Sequence, residues 1–476
     1  MKSGLFTALA ASAALTQAAA AQESAPAPVP ALTDSEARTV NRLIDAGLED
    51  DLAWDILESL TTEVGPRLGG SPAEARAREW GAAKLKALGF KNVRIETYDM
   101  PYWARVSEHA EIVSPFPQNL AVTALGRSKG TPVGGVVGEI VRFPTLLELQ
   151  RAPATGLEGK IVFVDEPMAR TQDGSGYGTA VRKRSQAAVE AGKRGAVASL
   201  IRSAGTDSHR NPHTGGGLSG VGETAVPSAA LSNPDADQLA RALKRAKGPV
   251  TVRLDLQVET AESVVSGNVV GEIPGQTDEI IVIGGHLDSW DLGTGAIDDA
   301  SGIAITTAAA KLVGDLPGKP RRTIRVVMWG AEEVGIFGGK AYAQQHKDEI
   351  GRHVLAAESD FGAGRVYRFN TRFAESEVAK GEVFEAALRR LAITPGTNTA
   401  GGGADIGAIR DLGVPVADLS QDGTNYFDLH HTPDDTLDKV DPEDLRQNVA
   451  AWAAFLYIAS ELDGDFGRLP AKEAAQ

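Results

Sequence analysis

No cysteine occurs in the 476 residues. Disulfides, thiolate metal sites and thiol nucleophiles are therefore excluded, and any metal must be held by His, Asp or Glu. Histidine is scarce, with eight in all, so the adjacent pair His430 and His431 is informative. No long basic run is present and the formal net charge is −15. That excludes the basic footprint that nucleic-acid binding needs. Beyond the amino-terminal segment, no stretch is apolar over a length that would cross a bilayer. No internal repeat is visible. The rest is ordinary globular usage, 42% hydrophobic and 23% charged, in a chain long enough for two or three domains and a sizeable core.

The first 21 residues read as a signal peptide. Lys2 gives the positive start, an apolar run extends from Leu5 to Leu15, and Ala19 and Ala21 form a small-residue cleavage site before Gln22. The run is short for a membrane span, so the mature protein is expected to be exported, periplasmic or extracellular. Residues 22–34 include the Pro/Ala-rich ESAPAPVPA and read as a linker. Residues 35–112 begin with a helical stretch to about Leu60. A second helix follows from Pro72, capped by Ser71, to about Leu88, with Gly89 ending it. A strand is expected over Val93 to Tyr98. From 113 to 262 the texture changes to short β-rich runs such as VGGVVGEIV and GKIVFVDEP, with one clear helix over about 180–193. This segment is expected to be an inserted, mostly β module.

From 263 to 476 strands and helices alternate. EIIVIGGH, TIRVVMWG, HVLAAESD and VPVADLS are nearly continuous apolar runs, as expected of strands buried on both faces. Helices are expected over about 300–314, 337–347, 376–391 and 442–462. The fold class expected is α/β, with a doubly wound sheet.

The acidic and imidazole residues of this region collect at the carboxyl ends of the expected strands, where open α/β sheets bind ligands. In GGHLDSWDLGTGAIDDASG, His286 ends a strand. Asp288 follows two residues later, on the same side of an extended chain, and suits orienting the imidazole. Asp298 and Asp299 open the next helix, where a carboxylate can bridge two cations. An ordinary Asp N-cap explains one of these acids but not the whole set. In VVMWGAEEVGIFGG, Glu332 and Glu333 end an apolar strand. Two carboxylates there are costly unless positive charge is nearby. One can bind metal while its neighbour takes a proton, although a plain helix start also favours acids. Asp360 in AAESDFG ends a third strand, and taken alone reads as a solvated turn acid. His431, in YFDLHHTPDDT, lies in a polar loop with Asp434 and Asp435 behind it. Together two imidazoles and three carboxylates, with one glutamate to spare, match two divalent ions about 3.5–4 Å apart. Such nitrogen and carboxylate ligands suit catalytic zinc, and manganese or cobalt also fits the ligand types.

These residues make the chain resemble the co-catalytic zinc aminopeptidase family, peptidase family M28, and within it the carboxypeptidase Q subfamily. The resemblance runs from about Leu60 to about Ser460. It rests on VGPRLGGS, AVEAGKRGAVASLIRS, NPHTGG, GGHLDSWDLGTGAIDD, WGAEE, ESDFG and HHTPDDT, in that order. It implies Glu332 as general base and Asp288 as the partner of His286. The implied metal ligands are His286, Asp298, Glu333, Asp360 and His431, holding two zinc ions with Asp298 as the bridge. It implies a phosphorylase/hydrolase-like catalytic domain interrupted by a protease-associated (PA) domain. It further implies a short unblocked peptide as substrate and a homodimer. The chain departs from the subfamily between the Gly-rich turn and the paired histidines, a stretch expected to line the substrate pocket. Other readings of the same residues are an aminopeptidase for longer peptides, a non-enzymatic binding protein on this scaffold, and a single-zinc glutaminyl cyclase. The filled two-metal set argues against the last two. His213 in NPHTGGG could reach the site or merely pack a loop, and His430 could support His431 or be structural.

Overall fold

The computed structural model describes Met1 and residues 31–216 and 225–472. The expected signal peptide beyond Met1, and the linker up to residue 30, lie outside the described residues.

The strand Ile280–His286 lies in the interior of the sheet, with every residue buried. Ile281 and Ile283 point into one apolar cluster, and Ile280 and Val282 into another on the opposite face. This is the alternation a doubly covered strand needs. Thr323–Trp329 and His353–Glu358 flank it in parallel. Val416–Gln421 joins His353–Glu358 in parallel, and Val366–Arg372 then adds antiparallel. Helices Asp34–Leu48, Leu52–Ser59, Ser301–Gly314 and Pro442–Glu461 cover one face, and Phe337–Gln345 and Gly407–Asp411 the other. The fold is a mixed α/β sheet with helices on both sides.

Local signals account for the helix starts. Thr33 and Glu36 form a capping box, Ser71 accepts the Glu74 N–H ahead of Pro72, and Asp441 accepts two N–H groups ahead of the last helix. The expected single helix over 35–60 is instead two. The break falls at residues 49–51, where the Asp50 carboxylate accepts the Ala53 N–H at 3.0 Å and restarts the helix.

Two strands are much longer than expected. Lys91–Ser114 and Thr251–Ile273, 24 and 23 residues, pair antiparallel along most of their length. Typical strands have 5–6 residues. At one end Thr251–Ile273 pairs with Thr323–Trp329, and at the other with Val136–Phe143. One continuous 14-stranded sheet results. The expected division at 262/263 falls inside this strand. Its polar stretch Glu259–Ser263 is exposed and pairs only with the neighbouring strand, which is why it reads as a loop.

Between the two long strands, Val136–Phe143, Ile161–Val164, Ala198–Arg202 and Ser228–Leu231 run parallel. The expectation of a mostly β module needs amending here. Helices Leu146–Arg151 and Ser175–Gly192 lie between these strands, and Asn233–Arg245 follows the last of them. Asn233–Arg245 buries Ala236, Leu239 and Ala242, a helical stripe, against its sheet.

Candidate metal centre

The ends of three neighbouring strands and two connecting segments deliver the site. His286 is the last residue of the central strand. Glu332 and Glu333 follow the strand Thr323–Trp329, and Asp360 follows His353–Glu358. Asp298 and Asp299, joined by a cis peptide bond, precede the helix Ser301–Gly314. His430 and His431 follow the short helix Tyr426–Leu429.

The side chains of His286, Asp298, Glu333, Asp360 and His431 converge. His286 Nε2 lies 3.0 Å from Asp298 Oδ1 and 3.4 Å from Asp360 Oδ1. His431 Nε2 lies 3.2 Å from Asp298 Oδ2 and 2.9 Å from Glu333 Oε2. Asp298 thus turns one oxygen to each half of the cluster. Asp299 is spent otherwise. Its Oδ2 accepts the His286 N–H at 2.9 Å and its Oδ1 the Gly302 N–H at 3.1 Å. A side chain at Gly285 would place Cβ 2.4 Å from Asp299 Oδ2, so the glycine before His286 makes room for that bond. His430 stacks on His431 with ring centroids 3.5 Å apart, and its Nε2 is 3.7 Å from Asp298 Oδ2.

Asp288 meets His286 differently from the expectation. Its backbone carbonyl, not its carboxylate, lies 2.9 Å from His286 Nδ1, whereas Oδ1 is 3.9 Å away. The chain turns after Leu287, whose N–H bonds to the Trp329 carbonyl. The Asp288 carboxylate instead accepts the Glu332 N–H at 2.9 Å, and so ties the histidine turn to the glutamate turn. The Glu332 side chain forms no hydrogen bond with another described residue.

The donor set fits cations. A carbonyl only accepts, so His286 Nδ1 carries a proton, and its Nε2 faces two carboxylates, Asp298 and Asp360, which raise the imidazole well above its usual range despite its burial. That arrangement is favourable only with a positive charge between them. Buried Asp298 Oδ2 and Glu333 Oε1 have no hydrogen-bond partner among the described residues, which buried polar atoms rarely tolerate.

Burial pushes Glu332 and Glu333 well above the usual carboxylate range, with neighbouring acids adding to the shift. Burial raises Asp360 as well. Asp298 is held low despite its burial by the imidazoles of His286 and His431 beside it. The pocket around these groups encloses about 360 Å³, and its lining includes Tyr177, Val181, Arg184, Phe361, Tyr426 and Phe427.

Several supporting residues escaped the sequence reading because they carry no acid–imidazole signature. Tyr426 lines the pocket, and burial together with Asp298, Asp360 and Glu333 keeps its hydroxyl protonated. Arg67, fully buried, donates to the carbonyls of Leu287 (2.5 Å), Thr294 (2.5 Å) and Gly295 (3.0 Å). It thereby clamps both ends of the loop between His286 and Asp298. Burial lowers its pKa to about 10, still far above neutrality. Arg67→Met should leave these carbonyls unpaired and lower stability by about 3 kcal/mol, read as a lower urea midpoint. An unchanged midpoint would show that the loop holds itself.

A family model described as "Peptidase family M28" matches residues 268–456. Carboxypeptidase Q of Mus musculus is 35% identical over 431 residues, covering 90% of this chain and 89% of that protein. The crystal structure of a peptidase M28 precursor from Shewanella amazonensis superposes with a TM-score of 0.89 at 48% identity, covering 92% of this chain and all of the other. A zinc aminopeptidase from Bacillus subtilis shares the fold, with a TM-score of 0.64 at 18% identity over 86% of this chain and 95% of that one.

Proposed function

Because the chain belongs to peptidase family M28, and so to the metallopeptidases, we propose that it is an exported exopeptidase. On this reading it holds two zinc ions and hydrolyses dipeptides or other short unblocked peptides. The observation that carries the reading is the two-sided use of Asp298, Oδ1 towards His286 at 3.0 Å and Oδ2 towards His431 at 3.2 Å. His286, Asp298 and Asp360 would hold one cation, and Asp298, Glu333 and His431 the other. Cations held there supply Lewis-acid polarisation of a peptide carbonyl and a water acidified towards a pKa of about 7.

The chain's own groups do the rest. Glu332, next to Glu333 and free of hydrogen bonds to other described residues, takes a proton from the attacking water and passes it to the leaving amine. The Asp288 carbonyl keeps His286 in the tautomer whose Nε2 faces the carboxylates. A pocket of about 360 Å³ lies near the small end of ligand sites, which supports a short substrate. The name of the Bacillus subtilis neighbour supports zinc.

Residues 113–262 are read as a PA-like domain inserted into a catalytic domain made of 35–112 and 263–476. Export rests on residues 1–21. No helix among the described residues is long and apolar enough to cross a membrane. A homodimer rests on the family resemblance.

The test is to purify the mature chain, count its metals and assay dipeptides, longer peptides and N-blocked peptides. Two zinc ions per chain are expected, with dipeptides cut fastest and blocked peptides left intact. Chelation should abolish cleavage, and added zinc should restore it. Faster cleavage of longer peptides would move the assignment to an aminopeptidase. Cleavage surviving removal of every divalent ion would end the metal-dependent reading.

A further inference from the structure

The NPHTGG segment, 211–216, is a motif that the chemistry above leaves unused, and it lies against the His430–His431 loop. His213 is 1% exposed. Its Nδ1 lies 2.7 Å from the His430 carbonyl oxygen and its Nε2 lies 2.6 Å from Asp207 Oδ1. The Thr214 N–H donates to the His431 carbonyl at 3.0 Å. The Thr214 carbonyl in turn lies 3.2 Å from His431 Nδ1 and accepts from Arg184 Nη1 at 2.7 Å. Gly215 follows with φ of +133°, and a Cβ there would sit 1.5 Å from Arg184 Nη1 and 2.8 Å from His431 Nδ1. Only bare backbone lets the guanidinium lie where it does.

These contacts have a direction. Because a carbonyl accepts and cannot donate, the Thr214 carbonyl selects the His431 tautomer with its proton on Nδ1 and its lone pair on Nε2. Nε2 is the atom that faces Asp298 and Glu333. Arg184 Nη1, which can only donate, lies 2.9 Å from Nδ1 and competes for that atom, and the Thr214 carbonyl draws its N–H away. His431 also has φ of +62°. For a non-glycine residue this backbone is strained and persists only where the surroundings over-determine it. The segment 211–216 supplies contacts to its ring, to its carbonyl and to the carbonyl before it.

We propose that His213 and Thr214, which lie outside the catalytic sheet's own strands and turns, are the positioning residues for the cation held by Glu333 and His431. They fix both the ring tautomer and the strained backbone of His431. The inference rests on the two-cation reading.

Zinc titration against a competing chelating dye tests it, with circular dichroism confirming that each variant is folded. His213→Ala removes the donor to the His430 carbonyl. His213→Asn places an amide N–H where Nδ1 was. In an Asp360→Ala background, which isolates the Glu333/His431 cation, His213→Ala should weaken zinc binding by about 10–100-fold, and His213→Asn should restore most of it. In a Glu333→Ala background, which isolates the other cation, neither change should matter. Gly215→Ala, which drives Arg184 onto His431, provides the same test should His213→Ala not fold. Equal weakening in both backgrounds, or none in either, overturns the proposal. A wild-type chain that binds fewer than two zinc ions overturns the two-cation reading and this inference with it, whereas two ions with His213→Ala unchanged overturns this inference alone.

Discussion

Asp298→Asn is expected to cost the chain both cations and nearly all of its peptide hydrolysis. The argument is one of connectivity. His286 Nε2 meets one oxygen of Asp298 and also faces Asp360, and His431 Nε2 meets the other and also faces Glu333. An amide offers one weak acceptor oxygen and no charge, so neither set of three ligands stays complete. Metal stabilisation of transition-state charge is worth several kcal/mol, which at 1.36 kcal/mol per tenfold is about 10³-fold or more in kcat/KM. Elemental analysis should fall from two zinc ions per chain to fewer than one. Asparagine keeps the volume, and its neighbour Asp299 still holds the turn through the His286 and Gly302 N–H groups, so the variant should remain folded. Two tightly held zinc ions in Asp298→Asn would remove the bridge from the proposal.

Glu332→Gln should separate catalysis from binding. Its side chain makes no hydrogen bond to another described residue, so the substitution removes a base and little else. Loss of a general base costs about 10²–10⁴-fold in turnover. The zinc content should stay at two, and KM should change far less than kcat. A second readout guards against a merely structural effect. Burial and the charges of Asp360 and Glu333 work against the Glu332 carboxylate, so in the metal-free protein a neutral glutamine relieves repulsion. The Tm of Glu332→Gln in chelator should be at or above wild type while activity is lost. A variant that keeps near wild-type kcat would move the base elsewhere. A lower zinc content would make Glu332 a ligand.

Much of this was legible in the sequence, for a physical reason. A strand covered on both faces needs a continuous apolar run, so Ile280–His286 and Thr323–Trp329 stand out. An acid or imidazole immediately after such a run is conspicuous, and that is how His286, Glu332, Glu333 and Asp360 could be picked out. What was illegible is carried by backbone atoms and by distant pairs. The Asp288 carbonyl, rather than its carboxylate, meets His286, and main-chain oxygens have no residue type to read. Arg67 and Arg184 are buried cations whose partners are mostly carbonyls far along the chain. The paired strands Lys91–Ser114 and Thr251–Ile273 alternate polar and apolar residues where they leave the core, and their exposed middle looks like a loop.

That pairing also bears on how the chain reaches its native state. Lys91 pairs with Glu272, about 180 residues later, and contacts of such separation slow folding because a long loop must close first. The helices of residues 34–87 therefore wait for a sheet edge that is synthesised much later. The amino-terminal helices and the late strands are thereby bound into one cooperative unit, so residues 34–87 are expected to gain protection from hydrogen exchange only once residues 251–273 are in place.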